Sequence, residues 1–392
     1  MMELINLFLE QKWQVTFVSP SAETEHMVDL NSLGVDTTSI ALNDSSFDTF
    51  IAEMKPDMVL FDRFMMEEQF GWRVEKHAPD ALRMIELIDL HLLRDARHRL
   101  SKASHRVEKV VDNETLHSEI AKREIASIYR SDLTLLISDY EMDLLVERFS
   151  IPQSILHLTP FMFDESHIAK PVPAFDQRAH FISIGNFRHA PNWDAVLWLK
   201  ETIWPMIRKS LPEAELHIYG SYPPKKATAL HKPAEGFHLM GWAPDAMNVM
   251  KMARVSLAPL RYGAGIKGKL ADSMLAGTPS VTTSVGAEAM HGELDWCGSI
   301  EDEPEAFAKA AVAIYQDEQL WQSSQQKGFD ILEHLFNKKR NGEALIKRIN
   351  EMRQTLESDR QNNFIGSMLR HHHHRSTEFM SRWIELKNSK EP

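Results

Sequence analysis

The chain has 392 residues, 43% of them hydrophobic, and a formal net charge of -12. That length suits two domains of ordinary size with sizeable cores, and the negative balance argues against wrapping nucleic acid or holding anionic membranes by general electrostatics. One cysteine, Cys297, excludes an internal disulfide, no apolar run is long enough to span a bilayer, and Glu3, Glu10, Gln11 and Lys12 interrupt any signal-peptide core, so a reducing, cytoplasmic setting is expected.

In chain order, Met1 to Lys12 reads as an amphipathic helix with Leu4, Leu7 and Phe8 on one side. Strand candidates follow at Gln14–Val18, Met58–Phe61, Arg83–Ile88, Leu133–Ile137, Ile155–Leu158, His180–Ile184, Glu215–Ile218, His238–Met240, Val255–Leu260 and Ser280–Thr283, most of them separated by helix-length segments. This alternation predicts an α/β protein with parallel, doubly wound sheets. Such a domain normally opens on a strand, often followed by a glycine-rich loop, and here a helix comes first. Either the chain begins late relative to its relatives, or the first domain lacks its first, usually central, strand.

The less apolar segment Asp164–Gln177, with Pro171 and Pro173, reads as a linker. The expected division is an N-terminal domain over 1–165, a second domain over 178–342, and a charged helical tail over 343–392 that packs back on the first domain. In the tail, Leu345, Ile349, Met352 and Leu356 form an apolar stripe suited to docking. His371–His374 is the one run with transition-metal chemistry, but it is flanked by arginines and has no carboxylate or thiol partner nearby, so no metal ligand is assigned.

Strand, turn glycine and helix recur in the second half at Gly185, Gly220, Gly241 and Gly263/Gly265, and ligands of open α/β sheets bind where such loops gather at the carboxyl ends of strands. The segment Arg261-Tyr-Gly-Ala-Gly-Ile-Lys-Gly-Lys269 carries the most chemistry. Two glycines permit a tight turn, and Lys267 and Lys269 stand at the start of a helix whose free N–H groups face the same way. This describes a phosphate or pyrophosphate site; a plain strand–helix turn with solvated lysines is the alternative. Trp193, Trp198 and Trp204 recur at roughly helical spacing and read as core, whereas Tyr262 in the glycine loop is the aromatic expected to meet a ligand. His91, just past a strand end, suits orienting a substrate, or a structural hydrogen bond.

Five blocks in order, Ile182–Val196, Leu216–Ser221, Leu239–Trp242, Ala258–Lys269 and Met274–Val281, resemble the donor domain of retaining glycosyltransferases of family four, the group 1 transferases. The resemblance covers roughly Ala179 to Gly292; the first half resembles the acceptor domain only weakly. It implies the GT-B fold, two Rossmann-like domains facing a cleft, and a sugar moved with retention and without metal from a nucleotide diphosphate, UDP by prior, to a glycan or lipid-linked acceptor. No cofactor is implied, and a lipid-linked acceptor leaves room for peripheral membrane contact.

Carried over by position, Lys267 and Arg188 would be phosphate cations, with Lys269 helping, and His91 would act beside the sugar or acceptor. The donor would also meet Gly185, Gly241, Trp242, Tyr262, Gly263, Gly265, Asp272 and Glu288; Asp272 stands at the second glutamate of the family's two-glutamate motif. The first glutamate falls near Ala264 and is absent, as in relatives with a Gly-Ile-Lys-x-Lys loop. Two other readings stay open: an inactive nucleotide-sugar-binding or partner protein derived from such a transferase, and a nucleotide-sugar epimerase of the same fold.

Overall fold

The structure is a computed structural model that describes residues 1–22, 27–168 and 171–388, and only the backbone of 372–374. The chain opens on the helix Met2–Glu10, whose Leu4, Ile5, Leu7 and Phe8 are buried. The first domain then contributes β1 (Thr16–Ser19), β2 (Asp36–Ser39), β3 (Met58–Asp62), β4 (Leu82–Leu87), β5 (Leu133–Leu136) and β6 (Leu156–Leu158). The second contributes β7 (Ala179–Ile184), β8 (Leu216–Tyr219), β9 (Phe237–Gly241), β10 (Ala253–Ala258), β11 (Ser280–Thr282) and β12 (Gly298–Ile300).

All ten expected strands form, with ends shifted by a residue or two. Two more form that had no apolar run to announce them: β2 is Asp-Thr-Thr-Ser and largely exposed, and β12 is Gly-Ser-Ile at a sheet edge.

In the second domain the parallel order is β9-β8-β7-β10-β11-β12. The first strand of the domain sits in the middle, with neighbours added outward on both sides, which is the order of a doubly wound nucleotide-binding sheet. Helices cover both faces, so the central strands are largely buried: Phe181, Ile182 and Ser183 of β7 and all of β10 but Arg254. Phe181, Trp204, Phe237, Phe307 and Trp321 are almost fully buried in this core, with Trp198 beside them and Trp193 partly buried against the cluster, so the tryptophans are packing residues.

The first domain is split. β3-β4-β5-β6 form one parallel sheet and β1-β2 another, and the two do not pair. A cavity of about 650 Å³ lies between them, lined by Val15, Phe17 and Val18 on one side and Val59, Phe61 and Phe70 on the other. Among the described residues no strand stands between β1 and β3. The amino group of Met1 lies 3.4 Å from Glu86 Oε1, at the carboxyl end of β4.

The tail is two long helices, Lys338–Asn362 and Phe364–Asn388. Leu345, Ile349 and Met352 of the first are buried with Leu4, Leu82, Met84, Leu133 and Leu135, so the stripe covers one face of the N-terminal sheet. Arg360 then clasps the buried Asp132 with two contacts, Nε to Oδ1 at 2.8 Å and Nη2 to Oδ2 at 2.7 Å. The second helix runs back over the first domain, where Arg73 donates to Ser381 Oγ at 2.9 Å. The side chains of His372, His373 and His374 lie outside the described residues. No described helix is long and apolar enough to cross a membrane.

Candidate functional site

The glycine loop after β10 is set by contact with the first domain. Gly265 has φ +64, and a Cβ placed there would stand 2.5 Å from the Ile88 carbonyl oxygen, so only glycine lets the loop approach the turn after β4 this closely. Its N–H donates to Glu141 Oε1 at 2.6 Å. The carbonyl of Gly263 accepts from Arg97 Nη1 at 2.9 Å. Both partners come from the first domain, so the loop is held from across the cleft.

Lys267 precedes the helix Gly268–Leu275 and is buried, with Nζ donating to the Gly265 carbonyl at 2.6 Å. Lys269 reaches the other way, donating to Asn192 Oδ1 at 2.5 Å, and its Nζ lies close to Gly185 at the end of β7. Burial lowers both ammonium groups to about 8; for Lys267 the next influence is Glu288, which raises it. One cation therefore stands at the β7 turn and the other in the glycine loop, on either side of one helix N-terminus, an arrangement of the kind that suits an anion.

Facing them are groups that sequence reasoning did not single out. Asp89 is buried beside Gly265, paired with Arg94, and its Oδ1 lies 3.6 Å from His91 Nε2. Glu141 is fully buried and pushed up to about 7 by burial and by the charge of Asp89. Arg97 holds both oxygens of Glu288 at 2.8 and 2.7 Å, with neither side chain reaching solvent. One sequence signal was present. Ser138-Asp-Tyr-Glu141 has the spacing of a helix capping box, and Ser138 Oγ does accept the Glu141 N–H at 3.2 Å. The Glu141 carboxylate instead binds Gly265 and the Leu90 N–H.

His91 heads the helix His91–Ser104. Its N–H and that of Leu92 donate to Glu124 at 3.0 and 2.9 Å, so a buried carboxyl fixes the helix start. Burial lowers the His91 imidazole to about 4, and Arg94 adds to this, which leaves it neutral. Glu124 is raised to about 8 by burial, despite the two N–H donors. Its folded-state value is above the ordinary one. Its favourable contribution is therefore complete below about 4.5 and disappears as pH rises through about 8. Glu124→Gln should accordingly gain stability on the wild type between about pH 5 and pH 8, and urea unfolding at those two pH values would show a difference that grows with pH.

The other expected residues divide. Gly185, Gly220 and Gly241 gather at the ends of β7, β8 and β9, where the Gly220 N–H donates to the Gly241 carbonyl at 2.8 Å. Arg188 is exposed, its guanidinium 3.8 Å over the Tyr222 ring, and Trp242 is exposed next to Gly241, so both stand on the rim. Asp272 is raised to about 6 by burial and by Glu3 of the N-terminal helix. Tyr262 corrects the expectation. It is 4% exposed and stacks on His98 of the first domain at 4.7 Å, because the loop closes against that domain instead of opening to solvent. Glu288, expected near donor or acceptor hydroxyls, is held by Arg97.

Residues 178–317 match the family model of glycosyl transferases group 1. The matched stretch carries the glycine loop, Lys267, Lys269 and the β7 turn, so the likeness to this family lies in the second domain. No curated protein matches the chain. Among solved structures, HepE of Anabaena, crystallised with UDP and glucose, has a TM-score of 0.65 at 10% identity, covering 89% of this chain and 95% of its own. The sucrose-phosphate synthase of Thermosynechococcus elongatus has a TM-score of 0.64 at 15% identity, covering 90% and 91%. S. aureus TarM, crystallised with UDP, has a TM-score of 0.60 at 11% identity, covering 77% of this chain and 58% of TarM, so the chain spans less than two thirds of that protein. At these identities the likeness is one of fold: two Rossmann-like domains face each other across a cleft, in the GT-B arrangement.

Proposed function

We propose that the chain transfers a sugar from a UDP-sugar to a hydroxyl of a glycan or glycoconjugate, in the cytoplasm, with retention and without a metal ion. The observation that carries this reading is a pair of cations at the N-terminus of the helix Gly268–Leu275, Lys269 reaching the turn after β7 and Lys267 the glycine loop, inside the stretch that matches the group 1 glycosyltransferase model. As the glycosidic bond breaks, negative charge grows on the departing diphosphate. Two fixed cations and preorganised N–H groups would stabilise that charge without metal. His91 and Asp89, across the loop, would contact sugar or acceptor hydroxyls. UDP in the crystals of HepE and TarM supports uridine as the base. The exposed Phe379, Met380 and Trp383 on the last helix support a lipid-linked acceptor met at a membrane surface.

A second reading, a donor-binding protein without turnover, is favoured by one feature: Lys267 and Glu288 are already engaged by Gly265 and Arg97 in the closed cleft. Incubation with a panel of UDP-sugars and measurement of UDP release separates the two. Release from one sugar conjugate, abolished in Lys267→Ala, supports transfer. Saturable UDP binding with no release from any conjugate supports the second reading.

A further inference from the structure

The amino ends of β8 and β9 in the donor-domain sheet carry a cluster that the glycosyl-transfer reading does not use. His217 in β8 and His238 in β9 are register partners on adjacent parallel strands and so share a face. Glu215, two residues before His217, falls on that face as well. The ligand-capable atoms of Glu215, His217 and His238 all lie within 4.8 Å of one another. Glu215 Oε2 is 2.9 Å from His217 Nε2, and Glu215 Oε1 is 3.8 Å from His238 Nε2. Tetrahedral ligands at a zinc-to-nitrogen distance of about 2.0–2.1 Å are separated by roughly 3.4 Å, which these two spacings bracket.

Two surrounding histidines fix the cluster. The His180 ring stacks on His217 at 4.0 Å. His231 accepts the Leu239 N–H through Nδ1 at 3.0 Å, and its ring meets His238 edge-on at 6.0 Å. His238 Nε2 is buried and makes no hydrogen bond. A buried ring nitrogen without a partner, aimed at a carboxylate and a second imidazole, is poor as packing and suitable as a ligand.

We propose that Glu215, His217 and His238 bind a transition-metal ion of the zinc class, with solvent or a neighbouring imidazole completing the shell. Imidazole donors favour zinc, copper or nickel over magnesium or calcium. The ion would staple the edge strand β9 to β8. Its place is at the amino ends of the strands, while Gly241 and Trp242 follow at the carboxyl end of β9, about 10–13 Å further along. It is therefore a structural site, independent of the chemistry in the cleft.

The sequence itself shows only the His371–His374 run, which would bind the same ions and has to be removed from the test. The full chain with those four residues changed to serine, stripped by a chelator, is titrated with Zn2+ in a calorimeter and followed by thermal unfolding. One ion per chain and a raised Tm are expected. His217→Ala and His238→Ala should each weaken binding by at least about tenfold, and Glu215→Gln, which keeps the side-chain shape, should do so if the alanine variants fold poorly. UDP binding should be unchanged. No saturable Zn2+ binding by the serine-substituted chain, or unchanged affinity in folded His217→Ala and Glu215→Gln chains, would overturn the proposal.

Discussion

Replacing Lys267 by alanine should lower kcat/KM for the UDP-sugar by about 10²- to 10³-fold, the range seen when one preorganised group facing developing charge is removed. The side chain is buried and lies directly before a helix whose N-terminus points into the site, so water cannot replace its charge cheaply. Arginine is not expected to restore activity, because the ammonium sits against the Gly265 carbonyl at 2.6 Å and leaves no room for a planar guanidinium. The same residue predicts a pH dependence. Burial lowers its ammonium to about 8, so the cation is present below that pH and is lost above it. Nucleotide affinity should therefore be flat near neutrality and fall as pH rises past about 8, with Lys269, also lowered to about 8, steepening the decline. A profile of UDP affinity from pH 6 to 10 checks this; affinity that rises through pH 9 would show that neither lysine carries the binding.

The second large effect is on the clasp between domains. Arg97→Met should destabilise the protein by about 3–5 kcal/mol, because it leaves the Glu288 carboxylate buried without its partner. Arg97 makes two bonds to Glu288 and others to Gly263 and Lys109, and neither Arg97 nor Glu288 reaches solvent. Replacing both partners by apolar residues should cost less than the single change, since no buried charge is then stranded. Urea unfolding of the three chains measures this. A single-variant loss under about 1 kcal/mol would mean that the domains stand apart in solution and that the clasp is hydrated.

The two domains differed in how much could be read from the chain. The donor domain was largely legible because most of its strands carry apolar residues and the turns after β7, β8, β9 and β10 carry glycines, so these strand positions and loops come from local chemistry. Lys267 and Lys269 were proposed on that basis. β2 and β12 were not, because a short polar edge strand is stabilised by its neighbour and has no pattern of its own. The first domain's sheet is split around an apolar cavity, an arrangement that no pattern in the sequence announces. Asp89, Arg97, Glu124 and Glu141 were beyond reach for a common reason. Arg97, Glu124 and Glu141 act through partners more than 30 residues away, and Asp89, although paired locally with Arg94, is buried only because the fold sets it beside Gly265; a buried charge looks like a surface charge until the fold supplies that setting. Tyr262 failed in the opposite direction: an aromatic in a glycine loop suggests exposure, and the opposing domain covers it.

The central claim is that the cleft around Lys267 binds the diphosphate of a uridine nucleotide. Calorimetric titration of the purified chain with UDP, GDP and dTDP, beside Lys267→Ala, tests it most directly. The account predicts saturable binding of UDP in preference to the others, lost in a variant that remains folded. A folded wild-type chain that binds none of the three, or binds UDP equally well without Lys267, would contradict it.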